Sequence, residues 1–362
     1  MKKRIAAIVL CALLVVCVFP TATFAAQNNE DIIILYENDV HCAVEGYSRL
    51  SAMKKELQDT YAHVGVVSGG DYIQGSSLGA ISQGQYIVDL MNLVGYDAVT
   101  LGNHEFDYRM ERLAELVGMM DTKPVCCNFQ KIGETESYFE PYTIVSYGDV
   151  DIAYIGITTP HTITSSSPAQ FKDESGEYIY TFNPTALYDF VQDAIDSAKS
   201  EGADYVIALS HIGYADNETY GDLEDIEDLI GNTDGFDVVL DAHSHSVIEG
   251  KTVVDEGGNE VLLSSTGTKF EYIGKLTISG GEFKTELIKT EDYQKTDPVI
   301  DSYIEKINAE YAVLGDRKVA FSEVDLITQD ANGNRLVRNS ETNLGDLCAE
   351  AVRSIPACEP HA

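Results

Sequence analysis

Between residues 32 and 127 short apolar runs alternate with longer amphipathic ones, and this alternation limits the fold more than any other feature of the sequence. Residues 32–36, 64–68 and 98–101, with a shorter run at 124–127, have the length and apolar continuity of buried strands. The stretches 47–61, 85–94 and 110–119 between them read as helices. Strands interrupted by helices at this rate need crossover connections, which predicts a sheet-centred α/β domain.

The pattern then shifts toward β structure. Residues 142–145 and 152–157 flank Gly148-Asp149 and predict a hairpin. A helix is expected over 184–200, with Asn183 as N-cap and Pro184 at its first position. Residues 205–209 and 238–240 read as strands again. From residue 252 to 287 the chain alternates around Gly257-Gly258 and Gly280-Gly281, which suggests antiparallel strands closing a second sheet. A helix over 298–314 leads away from it, and 340–354 starts another. Residues 164–167 read as a loop with nothing to mark it as functional.

The N-terminus is expected to stand apart from the fold. Lys2, Lys3 and Arg4 precede an apolar run, 5–19, that is short for a membrane span. Thr23 and Ala25 then put small residues at the −3 and −1 positions of a cleavage site, so 1–25 reads as a signal peptide. The alternative is a retained N-terminal anchor. Export would place the protein in a periplasm, on a cell surface or outside the cell.

The formal net charge is −35 and deepens once those three basic residues are removed. Such a chain repels nucleic-acid polymers and anionic lipid at long range. Five cysteines follow the leader: Cys42, Cys126, Cys127, Cys348 and Cys358. An odd number, an adjacent pair and no C-x-x-C spacing argue against both a disulfide scaffold and a thiolate zinc site.

The chemistry lies where the expected strands end. The five ends run into Asp39-Val40-His41, Gly69-Gly70-Asp71, Gly102-Asn103-His104-Glu105, Ser210-His211 and Asp241-Ala242-His243-Ser244-His245. The carboxyl edge of an α/β sheet is where loops converge and ligands bind. Asp39, His41, Asp71, Asn103, His211, His243 and His245 offer mixed oxygen and nitrogen donors, which suit divalent Mn, Zn, Fe or Co. Seven ligands are too many for one tetrahedral ion. They fit two ions about 3.5–4 Å apart that share a carboxylate and activate a water. Any one histidine alone carries little weight; five such ends in series carry more. His63 and His161 have no such company and read as ordinary.

These motifs, with Gly102-Asn103-His104-Glu105-Phe106-Asp107 in full, resemble the calcineurin-like metallophosphoesterases. Gly70-Asp71-Tyr72-Ile73-Gln74-Gly75, Met91-Asn92 and Gly95-Tyr96-Asp97-Ala98 resemble their 5'-nucleotidase branch, which includes bacterial UDP-sugar hydrolases and cyclic-nucleotide phosphodiesterases. The resemblance implies a four-layer α/β/β/α sandwich over 31–292, a linker helix and connection over 297–339, and the truncated start of a second α/β domain at 340–362. It implies that Asp39, His41 and His245 hold one metal, that Asn103, His211 and His243 hold the other, and that Asp71 bridges. His104, oriented by Asp107, would stabilise phosphoryl oxygens or act as general acid. Asn103 and His104 would touch the substrate. A histidine three residues before an aspartate can also be held by it in one tautomer, with its pKa raised.

Two positions depart from the family. Cys42 replaces a glycine, as an inert small residue or a reactive thiol. His245 stands where close nucleotidases carry glutamine. The segment 341–347 resembles the opening of the domain that supplies phosphate-binding arginines and base-stacking aromatics, and fifteen residues follow it. The expected function is an exported two-metal phosphomonoesterase acting on nucleotides or other small phosphate esters. The alternatives are a broad or cyclic-nucleotide phosphodiesterase and a non-catalytic metal-binding fragment.

Overall fold

The apolar runs become strands of two stacked sheets. The structure, a computed structural model, describes residues 29–214, 225–315, 318, 320–337 and 339–354. The expected signal peptide, 1–25, and Cys358 lie outside the described residues.

The first sheet has the spatial order β13 (Glu282–Lys289), β12 (Tyr272–Ser279), β1 (Asn29–Glu37), β2 (Tyr61–Ser68) and β3 (Ala98–Val99). The second runs β10 (Val247–Val254), β11 (Glu260–Thr266), β9 (Val238–Leu240), β8 (Tyr205–His211), β6 (Val150–Thr158) and β5 (Tyr142–Tyr147). A small pair, β4 (Gln130–Lys131) and β7 (Tyr180–Thr181), stands apart. Strands β1, β2 and β3 are parallel to one another, as are β6, β8, β9 and β11, so each sheet has a parallel centre with antiparallel strands at its margin.

The sheets face each other through Ile34, Tyr36 and Val67 from one side and Tyr154, Ile207 and Leu209 from the other. Tyr36 Oη and Ser264 Oγ bridge them at 2.6 Å. Helices Glu45–Gln58 and Gln85–Val94 cover the outer face of the first sheet, through Tyr47, Leu50, Ile87 and Leu90. Helices Leu187–Ser200 and Ile226–Gly231 cover the second, through Val191, Ile195, Leu229 and Ile230. The result is the expected α/β/β/α layering.

Four local expectations are corrected. Residues 124–127 form no strand; Val125 makes a single bridge to Thr100, and Cys127 N donates to Gly156 O at 2.8 Å. The run therefore stitches the edge of one sheet to a strand of the other. The helix expected from residue 184 starts at Leu187, because Asn183 has φ +50° and donates its side-chain amide to Asn128 O at 3.0 Å instead of capping. The strands of 252–287 do not close one sheet: β10 and β11 join the second, while β12 turns back to pair with β1 in the first. Residues 164–167 are not a plain loop, since Thr162–Ser165 is a short helix and Ser166 reaches the site.

The described cysteines Cys42, Cys126, Cys127 and Cys348 are free thiols. Contacts divide the chain into two units, 1–307 and 308–362. In the first, Ile300, Ile304 and Ile307 of helix Pro298–Gly315 are buried against the outer helices. In the second, helix Asn343–Arg353 is capped by Thr342 Oγ1, which accepts from Gly345 N.

Candidate metal centre

Parallel pairing brings the strand ends level. Glu37 lies opposite Ser68 and Ser68 opposite Val99 in the first sheet, and Thr158 lies opposite His211 in the second. Every candidate ligand sits at or just past such an end. The turns that hold them are strained. Asp39, His41, Asp71, His243 and His245 have φ of +50°, +44°, +59°, +75° and +55°. Left-handed backbone in such residues costs roughly 1–3 kcal/mol each and persists where surrounding structure enforces it. Gly70, at φ +93°, touches the neighbouring turn so closely that a Cβ would overlap Gly102 N.

The side chains converge. His41 Nε2 lies 3.8 Å from Asp39 Oδ1, 3.8 Å from Asp71 Oδ2 and 3.0 Å from His245 Nε2. His245 Nε2 lies 3.4 Å from Asp39 Oδ1. On the other side His211 Nε2 is 3.2 Å from Asp71 Oδ2 and 3.3 Å from Asn103 Oδ1. The His243 ring lies 5.2 Å from that of His211, and its backbone N donates to Asp39 Oδ2 at 2.9 Å. Asp39 and Asp71 thus stand between two groups of donors, and all seven sequence-derived ligands meet at one place.

The donor set fits divalent cations. Asp39 Oδ1 is buried and accepts no hydrogen bond, although imidazole nitrogens face it. His41 Nδ1 donates to Gln74 O at 2.9 Å and His211 Nδ1 to Gly69 O at 2.8 Å, which aims each Nε2 inward. That arrangement of carbonyl-fixed imidazoles is the one metal-ligating histidines use.

Burial and the facing charges set the protonation of these groups. Burial alone would raise Asp71, but facing His211, His104 and His41 hold it well below the usual carboxylate range. Burial opposes the charge on His211, yet Asp71 and Asp39 lift it to about 10. Burial lowers His41, and burial with the charge of His211 lowers His243 to about 4. A cation that took His211 as ligand would displace that proton.

Beside the ligands, His104 Nδ1 and Asp107 Oδ2 are 2.6 Å apart. Burial disfavours the imidazolium, but Asp107 and Asp71 raise it to about 9. A protonated His104 can donate to a phosphoryl oxygen or a leaving group. His104, His41 and Asp71 each present a ligand-type atom within 4.8 Å of the other two, so His104 stands directly beside the candidate ligands.

The sequence reading missed three neighbours. Ser166 Oγ donates to Asp107 Oδ1 at 2.9 Å across a gap of 59 residues, with no local signal to announce it. His161 lies 6.3 Å, ring to ring, from His243. Glu105 carries no assigned role in the motif that contains it, yet its carboxylate accepts from the N–H of Asp71, Tyr72, Ile73 and Gly102. The Cys42 thiol is buried, donates toward Ile73 O at 3.1 Å and is pushed up to about 11 by burial, which favours the inert reading over the reactive one.

The sequence matches the calcineurin-like phosphoesterase family over residues 33–247, more than half the chain. The chain belongs to the calcineurin-like phosphoesterases. Among curated relatives, a snake venom 5'-nucleotidase of Crotalus adamanteus is 26% identical across 92% of this chain and 60% of its own length. The snake venom 5'-nucleotidase of Gloydius brevicauda is 27% identical across 64% of this chain and 40% of its own length. The chain thus spans about half the length of these relatives. Its fold is that of the 5'-nucleotidase precursor of Thermus thermophilus, with a TM-score of 0.68, 23% identity, and coverage of 88% of this chain and 66% of that one.

Proposed function

We propose that this phosphoesterase hydrolyses nucleotides, as a 5'-nucleotidase-like phosphomonoesterase, with two divalent transition-metal ions. The observation that carries the reading is the convergence of Asp39, His41, Asp71, Asn103, His211, His243 and His245 from five strand ends, with a buried carboxylate oxygen on Asp39 that no donor satisfies. Asp39, His41 and His245 would hold one ion and Asn103, His211 and His243 the other, with Asp71 available to both. Ions bound there supply an activated water and neutralise phosphoryl oxygens.

The protein's own groups do the rest. Asp107, itself held by Ser166, fixes His104 in one tautomer. His104 would donate to the phosphoryl group or the departing oxygen, and Asn103, the residue before it, would also touch the substrate. Nucleotides are the substrate class because the relatives are 5'-nucleotidases and the net charge of −35 disfavours polyanionic polymers. Residues 31–292 act as the catalytic domain, 297–339 as a connection and 340–362 as the start of a nucleotide-reading domain. Export rests on the pattern of residues 1–25; among the described residues no helix is long and apolar enough to cross a membrane.

The test is metal analysis of purified protein together with hydrolysis of an activated aryl phosphate and of AMP. Close to two ions per chain, and activity abolished by a chelator, are expected. Active protein with one ion or none rejects the two-metal reading.

A further inference from the structure

Glu105 is a buried carboxylate that the proposed chemistry does not use. Its side chain is 1% exposed. Oε2 accepts from Asp71 N at 2.8 Å and from Gly102 N at 2.7 Å. Oε1 accepts from Tyr72 N at 2.8 Å and from Ile73 N at 3.2 Å. Four backbone donors on one carboxylate are what an anion-binding nest provides, but here the anion belongs to the chain itself. The donors come from two separate turns: one carries Asp71, the other leads into Asn103.

These turns need an external hold. Asp71 sits at φ +59° and Gly70 at φ +93°; Gly70 N donates to Ser68 Oγ at 3.3 Å, and Asp71 N donates to Glu105. A left-handed aspartate relaxes unless its backbone is fixed. Glu105 fixes its backbone N–H, while the N–H of His104, the residue before Glu105, donates to Asp71 Oδ1 at 2.8 Å. The short segment 104–105 therefore grips Asp71 at both its backbone and its side chain. It also sets the Gly102 turn, so the relative placement of Asp71 and Asn103 passes through one carboxylate.

We propose that Glu105 is the positioning residue of the metal centre: by tying the Asp71 turn to the Gly102 turn it sets the distance between the shared ligand Asp71 and the Asn103 side, and so the affinity for both ions. The inference rests on the metal-centre reading above. Glu105 touches neither substrate nor ion. Its contribution is to hold the donors in place before an ion arrives. Groups that orient ligands in this indirect way change metal affinity by about 10–100-fold.

The experiment measures Mn²⁺ and Zn²⁺ binding by calorimetry to the metal-free full chain, for wild type, Glu105→Gln and Glu105→Asp. Far-UV circular dichroism of the metal-free forms serves as the folding control. Glu105→Gln keeps one oxygen for Tyr72 and Ile73 but turns an amide N–H toward those of Asp71 and Gly102. The expected result is a folded protein that binds both ions about 10–100-fold more weakly, with turnover partly restored at saturating metal. Glu105→Asp, too short to reach all four donors, is expected to fall between the two, and it decides the matter if Glu105→Gln does not fold. A purely structural role predicts lowered thermal stability with unchanged metal affinity in the folded protein, and that outcome overturns the proposal. Wild type that takes up no metal overturns the metal-centre reading itself, which is a different failure.

Discussion

Asp71 Oδ2 faces His211 at 3.2 Å and His41 at 3.8 Å, whereas His104 Nδ1 is committed to Asp107 at 2.6 Å. The two residues should therefore separate on mutation. Asp71→Ala is expected to lose metal and hydrolysis together. His104→Ala is expected to keep both ions and lower turnover by about 10²–10⁴-fold, the range for loss of a general acid. Metal content measured beside turnover decides, and loss of metal from His104→Ala would make that residue a ligand. Protonation gives a second test, on the metal-free chain. His211 is raised to about 10 and His104 to about 9, while an unfolded histidine titrates near 6.5. The folded state binds the extra protons, so their stabilisation is complete below about pH 6.5 and is lost as pH rises through 9–10. His243, lowered to about 4, acts in the opposite sense, raising stability with pH between about 4 and 6.5. Thermal unfolding of chelated protein should show Tm falling between pH 6.5 and 9. A flat or rising Tm across that window contradicts the assignment.

At the scale of elements, the strands that carry ligands were legible because each is a continuous apolar run ending in a polar motif. The run 124–127 was not, because it is buried for another reason. Val125 N donates to Val99 O at 3.0 Å and Cys127 N to Gly156 O at 2.8 Å, so its backbone serves both sheets and forms a ladder with neither. That stitch needs a strand with no side chain at the crossing. A Cβ at Gly156 would overlap Val125 O. Gly156→Ala should lower unfolding free energy by about 1–3 kcal/mol, the usual cost of overpacking. The urea midpoint measures it, and an unchanged midpoint would mean that the stitch is loose. The same crossing supports the site, since β6 ends at Thr158 beside His211.

Across the whole molecule the charge is strongly one-sided, with 59 acidic against 24 basic residues. An anionic substrate meets repulsion everywhere except over bound cations. Raising ionic strength shortens the Debye length from about 30 Å at 0.01 M to about 8 Å at 0.15 M. KM for a mononucleotide should therefore fall with added salt while kcat stays level; a KM that rises would indicate that attraction dominates the approach. Base preference is a separate property of the whole. Tyr72 and Phe106, the aromatics nearest the motifs in sequence, are buried at 1% and 0% exposure and offer no stacking face. The chain is expected to hydrolyse AMP, GMP, UMP and CMP with kcat/KM values within about tenfold, or about 1.4 kcal/mol. A strong preference for one base would place a base-reading surface in the catalytic unit.

The four-layer arrangement was implied by the family resemblance; periodicity was enough, from the sequence alone, to name an α/β domain, and motif position to pick out the seven donors that converge. Both are local properties: a strand is written in a few consecutive residues, and a ligand in the residue that follows it. Only the tertiary structure decided which sheet the later strands join, because β12 pairs with β1 across more than 200 residues of chain. It alone brought Ser166 to Asp107 and His161 toward His243. It also gave Glu105 its role, since four N–H groups meet one carboxylate only after two turns have been folded together. Such groups are recognised by what surrounds them, and a linear sequence records neighbours along the chain rather than neighbours in space.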